Sequence, residues 1–250
     1  MKRIESTKNE RVKQWKKLST KKERDRTGLF LIEGFHLVEE AIKSGVHIEE
    51  LIVAEHAIIP ASWNVAHIPM TIVTNDVMKT ISDTETPQGI AAVCKQLHWN
   101  VDDVQTALFI DAVQDPGNVG TIIRTADAAG VDVVVVGEGS ADIYNAKVIR
   151  ATQGSLFHFP VIKEDIGQWI ARFQNRHIPI YGTSLQHGVD YRSVAPSSSF
   201  ALIVGNEGSG VNEQWLKQTT TNLYVPIYGK AESLNVAIAT GILLYHLQKK

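Results

Sequence analysis

The apolar positions of this chain fall into two regimes. In the first third they come in short segments: GLFLIEG (28–34), IEELIVAE (48–55) and GIAAVCKQ (89–96) read as strands, and FHLVEEAIKSG (35–45) as a helix ending on glycine. This predicts a small α/β domain over residues 1–97 that opens with a basic helix. LHWNVDDVQ (97–105) breaks both periodicities and reads as a linker. From 106 to 250 the strands become continuous apolar runs alternating with helical segments: ALFIDAV, VDVVVVG, IPIYGTS, FALIVGN and LYVPIYG. Strands that are apolar on both faces and separated by helices imply a parallel sheet covered on both sides. There is no long-period repeat, and APSSS (195–199) is the one low-complexity stretch.

Composition narrows the class. With 250 residues, 44% of them hydrophobic, the chain can bury one large core or two modest ones. The longest apolar stretch, VAIATGILLYHL (236–247), is too short to span a bilayer, and the basic start lacks the apolar segment of a signal peptide. A cytoplasmic protein without membrane contact is expected. Cys94 is the only cysteine, and the nine histidines show no metal-ligand spacing with each other or with it, so neither a disulfide nor a metal is expected.

The net charge of −2 hides a segregation. Residues 1–28 hold eleven Lys or Arg against four acids, whereas the rest holds 14 against 23. A basic arm beside an acidic body suggests a polyanionic partner, because neutralising phosphates releases counterions; a solvated surface helix is the plain alternative. Trp15, inside the basic run, fits either stacking on a base or anchoring the helix to the core.

Ligands of open parallel sheets bind outside the carboxyl ends of the strands, which directs attention to three loops. DPGNVGTIIRTADAAG (115–130) is a turn leading into a helix that carries Arg124. A guanidinium so near a helix start needs a carboxylate or phosphate partner. FALIVGNEGSG (200–210) ends an apolar run on Gly205, Gly208 and Gly210, which allow close backbone approach, with Asn206 and Glu207 between them. VPIYGKAESLNVAIATG (225–241) leads through a loop into an alanine-rich helix, with Ser233 read as its N-cap and Asn235 in the first turn. Each loop alone is equally compatible with a structural turn or cap. The dinucleotide fingerprint G-x-G-x-x-G, the nucleophile elbow G-x-S-x-G and the P-loop are all absent.

Taken together, the three loops resemble the three motifs of the SpoU/TrmH family of RNA ribose methyltransferases, within the SPOUT superfamily. NVGTIIRTA (118–126), LIVGNEGSGV (202–211) and VPIYGKAESLNVAIATGILLY (225–245) match motifs one to three, and RATQGSLFHFPV (150–161) matches the middle segment. FLIEGFHLVEEAI (30–42) and TPQGIAAV (86–93) resemble the substrate-binding domain often fused to this enzyme.

The resemblance implies an α/β fold with a parallel sheet and a deep carboxy-terminal trefoil knot, an amino-terminal RNA-binding domain, a homodimer, and S-adenosylmethionine as cofactor. It implies that Arg124, Asn118, Glu207, Ser233 and Asn235 shape the reaction site, and that Thr183, Gly205, Val225, Ile227 and Leu234 hold the cofactor. The reaction would move one methyl group from a sulfonium to a ribose 2′-hydroxyl. An arginine stays protonated, so Arg124 is expected to fix a phosphate and steady oxyanion charge, while Glu207 or a water takes the proton. Ribosomal RNA is the expected substrate, with transfer RNA second. A non-catalytic RNA-binding module and a nucleotide-dependent oxidoreductase are the readings from other classes.

Overall fold

In the computed structural model, which describes residues 2–249, the chain forms two compact units. One holds the chain up to Leu97 together with Tyr144–His158, and the other holds His98–Ile143 and the chain from Phe159 onward. The first unit opens with β1 (Lys2–Ile4), α1 (Glu10–Lys17) and α2 (Lys21–Thr27), so the expected single basic helix is two helices joined by a tight turn. There follow β2 (Leu29–Glu33), α3 (Phe35–Lys43), β3 (Ile48–Ala54), β4 (Met70–Val73), α4 (Asn75–Ile81) and β5 (Ile90–Lys95).

The sheet order is β1-β4-β3-β5-β2, with β5 antiparallel to both its neighbours. Trp15 is an anchor: it is buried, and its Nε1 donates to Glu50 at 3.1 Å. Around it Val12 and Leu18 pack with Ile52, Val77, Met78 and Val93 into the unit's core.

Residues 96–105 form no regular element. The second unit then begins with β6 (Thr106–Asp111), α5 (Pro116–Ala129) and β7 (Val133–Val136). Between β7 and the next strand lies α6 (Ala146–Thr152), a helix of the first unit. The second unit resumes with β8 (Val161–Lys163), α7 (Ile166–Asn175), β9 (Ile180–Thr183), β10 (Val189–Asp190), β11 (Phe200–Gly205), α8 (Glu213–Leu216), β12 (Thr221–Tyr224) and α9 (Val236–Leu247).

All seven strands run parallel, in the order β10-β12-β9-β11-β6-β7-β8. The continuous apolar runs are buried end to end in β6, β7 and β11, as a sheet covered on both faces requires. Phe109 of β6 meets Trp169 and Phe173 of α7 with ring centroids 6.3 and 5.7 Å apart. LYVPIYG is a strand only as far as Tyr224; Pro226 has no N–H to give a ladder, and the chain leaves the sheet there.

Helix α5 is well specified locally. Asp115 caps it by accepting from the Asn118 amide at 2.8 Å, Pro116 takes the first position, and Gly130 ends it in the left-handed region. Helix α9 runs parallel to α5. Asn235 bonds Asn118 at their starts, while Tyr245 and Gln248 donate to the carbonyls of Ala128 and Gly130 at their ends.

Candidate active site

Because the strands are parallel, the carboxyl ends of β12, β9, β11 and β6 lie side by side, with Leu223 opposite Thr183 and Gly205 opposite Asp111. The strand ends, the loops leaving them and the helix α5 that follows β6 carry the candidate residues read from the sequence.

At the centre is Glu207. Its Oε1 accepts from Asn118 Nδ2 at 3.0 Å and from the Asp115 amide at 3.2 Å, and its Oε2 accepts from the Gln114 amide at 3.2 Å. Partial burial pushes its pKa up. The hydrogen bonds from Asn118, its own amide, Gln114 and Asp115 outweigh that, and the carboxyl ends below its usual range. The donors lie at the amino end of α5, where the helix dipole also favours an anion.

Asn118 passes the connection on, for its Oδ1 accepts from Asn235 Nδ2 at 2.9 Å. Asn235 in turn caps α9, its Oδ1 accepting from Ala237 and Ile238 amides at 2.9 and 3.3 Å. This corrects the expectation that Ser233 is the cap. Ser233 lies two residues earlier in the exposed loop, and the helix starts at Val236 because asparagine supplies the capping oxygen. One hydrogen-bonded chain, Glu207–Asn118–Asn235, thus joins the loops after β11, β6 and β12.

Arg124 projects from α5 two turns beyond its start, on the face shared with Gly117, Gly120 and Thr121. It is exposed and makes no ion pair or hydrogen bond among the described residues.

The remaining candidates divide. Thr183 ends β9 with its Oγ1 donating to the Ile203 carbonyl at 3.2 Å. Gly205 is bare for a reason internal to the turn: a Cβ there would collide with the Gly210 carbonyl and the Val211 amide. Val225, Ile227 and Leu234 lie in the loop before α9. The main chain of 225–234 forms no hydrogen bond among the described residues, leaving amides and carbonyls at the sheet's edge open to a ligand. An adenosine, with donors and acceptors along its base edge, fits such a lining. No group of His, Cys, Asp and Glu that could hold a metal ion occurs among the described residues.

Several contacts that shape the site escaped sequence reading. Asn206 Nδ2 donates to the Ala112 carbonyl at 2.9 Å, and its Oδ1 accepts from the amides of Gly208 and Ser209. Buried Asp111 accepts from the Asn212 amide at 2.7 Å. These bonds tie the β11 turn to the β6 loop, where Ala112 takes a left-handed conformation (φ 53°) that a side chain rarely adopts. The glycine-rich turn gave a local signal for Asn206, but nothing near Asp111 or Ala112 pointed to partners about a hundred residues away.

Comparison with known proteins decides the family. Residues 105–245 match the model of the SpoU rRNA Methylase family, which is more than half of the chain. The chain belongs to the SpoU rRNA methylase family. Residues 9–92 match the MRM3-like substrate binding domain. The 23S rRNA (guanosine(2553)-2′-O)-methyltransferase RlmP of Bacillus subtilis is 51% identical over 248 residues, covering 99% of this chain and all of the relative. An AdoMet-bound rRNA methyltransferase from Sinorhizobium meliloti superposes with a TM-score of 0.88 at 32% identity, over 98% of this chain and 97% of that one. The SpoU methyltransferase AviRb from Streptomyces viridochromogenes, in complex with AdoMet, gives 0.84 at 25% identity, over 96% and 97%.

Proposed function

We propose that this chain transfers the methyl group of S-adenosylmethionine to a ribose 2′-hydroxyl of large-subunit ribosomal RNA. The observation that carries the reading is the chain Glu207–Asn118–Asn235, which joins three motif segments at the carboxyl edge of the sheet, with exposed Arg124 on the same helix as Asn118. Near-complete coverage by a relative named as a 23S rRNA 2′-O-methyltransferase supports the substrate class.

When bound, the cofactor supplies an electrophilic methyl group on a sulfonium. The main chain around Val225, Ile227 and Leu234 would hold its adenosine, with Thr183 and the Gly205 turn alongside. Arg124 would grip a phosphate next to the target ribose and steady negative charge growing on the attacking oxygen, as a fork-shaped, permanently charged donor can. Asn118 and Asn235 set the relative positions of the loops, and Ser233 lies in the loop leading to them. Glu207 accepts from three donors and has a lowered pKa, which makes it a weak base. Its role is to fix the loops, and the ribose proton leaves to water.

We further propose that the carboxy-terminal region is knotted and that the protein acts as a cytoplasmic homodimer. The first part is supported by Ser197, just ahead of β11, which bonds the Leu247 carbonyl through its amide at 2.8 Å and places the end of α9 beside that segment. The dimer is supported by α9 itself. A helix that is apolar all round belongs in a core, yet Ile238 and Tyr245 are 57% and 64% exposed.

The test is nucleoside mass spectrometry of ribosomal RNA from cells with and without the gene. One 2′-O-methylnucleoside of the large-subunit RNA disappears on deletion and returns with the wild-type gene. An unchanged ribose-methylation pattern would refute the reading.

A further inference from the structure

The first unit contains a groove of about 320 Å³ between α1, α2 and the sheet, a volume at the lower end of the range for small-ligand sites. Leu18, Leu29, Val93 and the edge of Trp15 give it an apolar lining, and Gln14, Arg11 and Arg26 stand along its walls. Three acids also line it, and each is already committed. Buried Glu50 (4% exposed) accepts from Arg11, Trp15 and Thr71; Glu49 pairs with Lys95 at 3.0 Å; Glu23 pairs with Arg26. The walls therefore present no free negative charge.

The free charge nearby is positive. Lys16 and Lys17 end α1, Lys21 and Lys22 begin α2, and none of the four makes an ion pair among the described residues. Lys17 and Lys22 adjoin the lining residues Leu18 and Glu23 in sequence, on the two helices that wall the groove. The corner that displays them is stiff: buried Arg24 donates to the carbonyls of Leu18 and Ser19 at 2.8 and 2.9 Å, closing the end of α1.

We propose that this groove receives an unpaired nucleotide of the RNA substrate, with its base on the apolar lining and the flanking phosphates on Lys17 and Lys22. The base edge finds both donor and acceptor in the Gln14 amide, and the guanidinium planes of Arg11 and Arg26 offer stacking surfaces. A groove of this volume has room for one splayed, single-stranded base. The inference rests on the reading of the chain as an RNA-modifying enzyme and names a site on the RNA-facing unit that is separate from the reaction site.

The test is filter binding of the full-length protein to an unmodified large-subunit rRNA transcript over a range of salt, with methyl transfer and S-adenosylmethionine affinity measured in parallel. Gln14→Trp fills the groove without changing charge, and Lys17→Ala/Lys22→Ala removes the phosphate contacts; all three positions are exposed, so folding is retained. We expect Gln14→Trp to weaken transcript binding about tenfold, as loss of a stacked base would. The lysine pair should flatten the salt dependence by about 0.7 per contact, the value for single strands. Cofactor affinity stays at the wild-type value for both. Wild-type binding and salt slope in both variants would overturn the proposal, and so would weakening by the lysine pair with Gln14→Trp unaffected, since the groove is then empty. If the wild type binds and the variants lose binding, but no ribose is methylated, the groove stands and the enzymatic reading falls. If the variants bind and methylate like the wild type, the groove falls and the enzyme stands.

Discussion

Asn118 and Asn235, 117 positions apart, are joined side chain to side chain by a 2.9 Å hydrogen bond at the adjacent starts of two parallel helices. The bond fixes how α9 meets α5, and the other end of Asn118 holds Glu207. Asn118→Asp replaces its donating amide with a carboxylate 3.0 Å from Glu207 Oε1. A lost hydrogen bond to a charged group is worth about 1.5–3 kcal/mol, so methyl transfer should fall roughly tenfold to a hundredfold. Steady-state kinetics on an rRNA transcript checks this, and an unchanged kcat/KM would remove Asn118 from the site.

The lowered pKa of Glu207 has a sign. A carboxyl whose folded-state pKa lies below its unfolded value stabilises the fold above the unfolded value, near 4.5, and loses that contribution as pH falls through the folded value. Thermal melts of wild type and Glu207→Gln should therefore differ most above about pH 4.5 and converge in more acidic solution. A gap that widens on acidification would contradict the assignment.

Gly205→Ala should be among the most damaging changes in the second unit. The new methyl meets backbone atoms of Gly210 and Val211, which cannot step aside as a flexible side chain would. Overpacking of this kind costs about 1–3 kcal/mol, and more where only backbone can yield. We expect a lowered melting temperature together with weakened cofactor binding, measured by calorimetry. A variant with wild-type Tm would show that the turn can rearrange.

The proposed dimer predicts that the wild type sediments as a dimer and Ile238→Glu/Tyr245→Glu as a monomer at the same concentration, as read by sedimentation velocity. Both residues are exposed on α9, and Tyr245→Glu gives up only the long 3.4 Å bond to the Ala128 carbonyl; circular dichroism checks that the fold is kept. A wild-type protein that sediments as a monomer would refute the dimer outright.

The sheet and most of its strands were legible because residues buried on both faces leave unbroken apolar runs such as VVVV at 133–136. Strands as short as Lys2–Ile4 and Val189–Asp190 leave no such trace, since three or two residues carry no measurable period. The motif loops were legible as glycine, proline and asparagine punctuation. Which residue caps α9 was not: Ser233 and Asn235 are both good caps, and the choice is made by Asn118, a partner supplied by the fold. The contacts of Asp111 and Asn206 were invisible for the same reason, while Arg124 stood out because a lone cation near a helix start is an unfinished contact.

Transfer of tritium from labelled S-adenosylmethionine to an unmodified 23S rRNA transcript, followed by nuclease digestion, compares wild type with Arg124→Lys. We expect the label in a single 2′-O-methylnucleotide with the wild type, and a loss of about a hundredfold or more with the lysine variant, whose point charge cannot replace the guanidinium fork. Label on a base, or near-normal turnover by Arg124→Lys, would contradict a ribose methyltransferase built around this arginine.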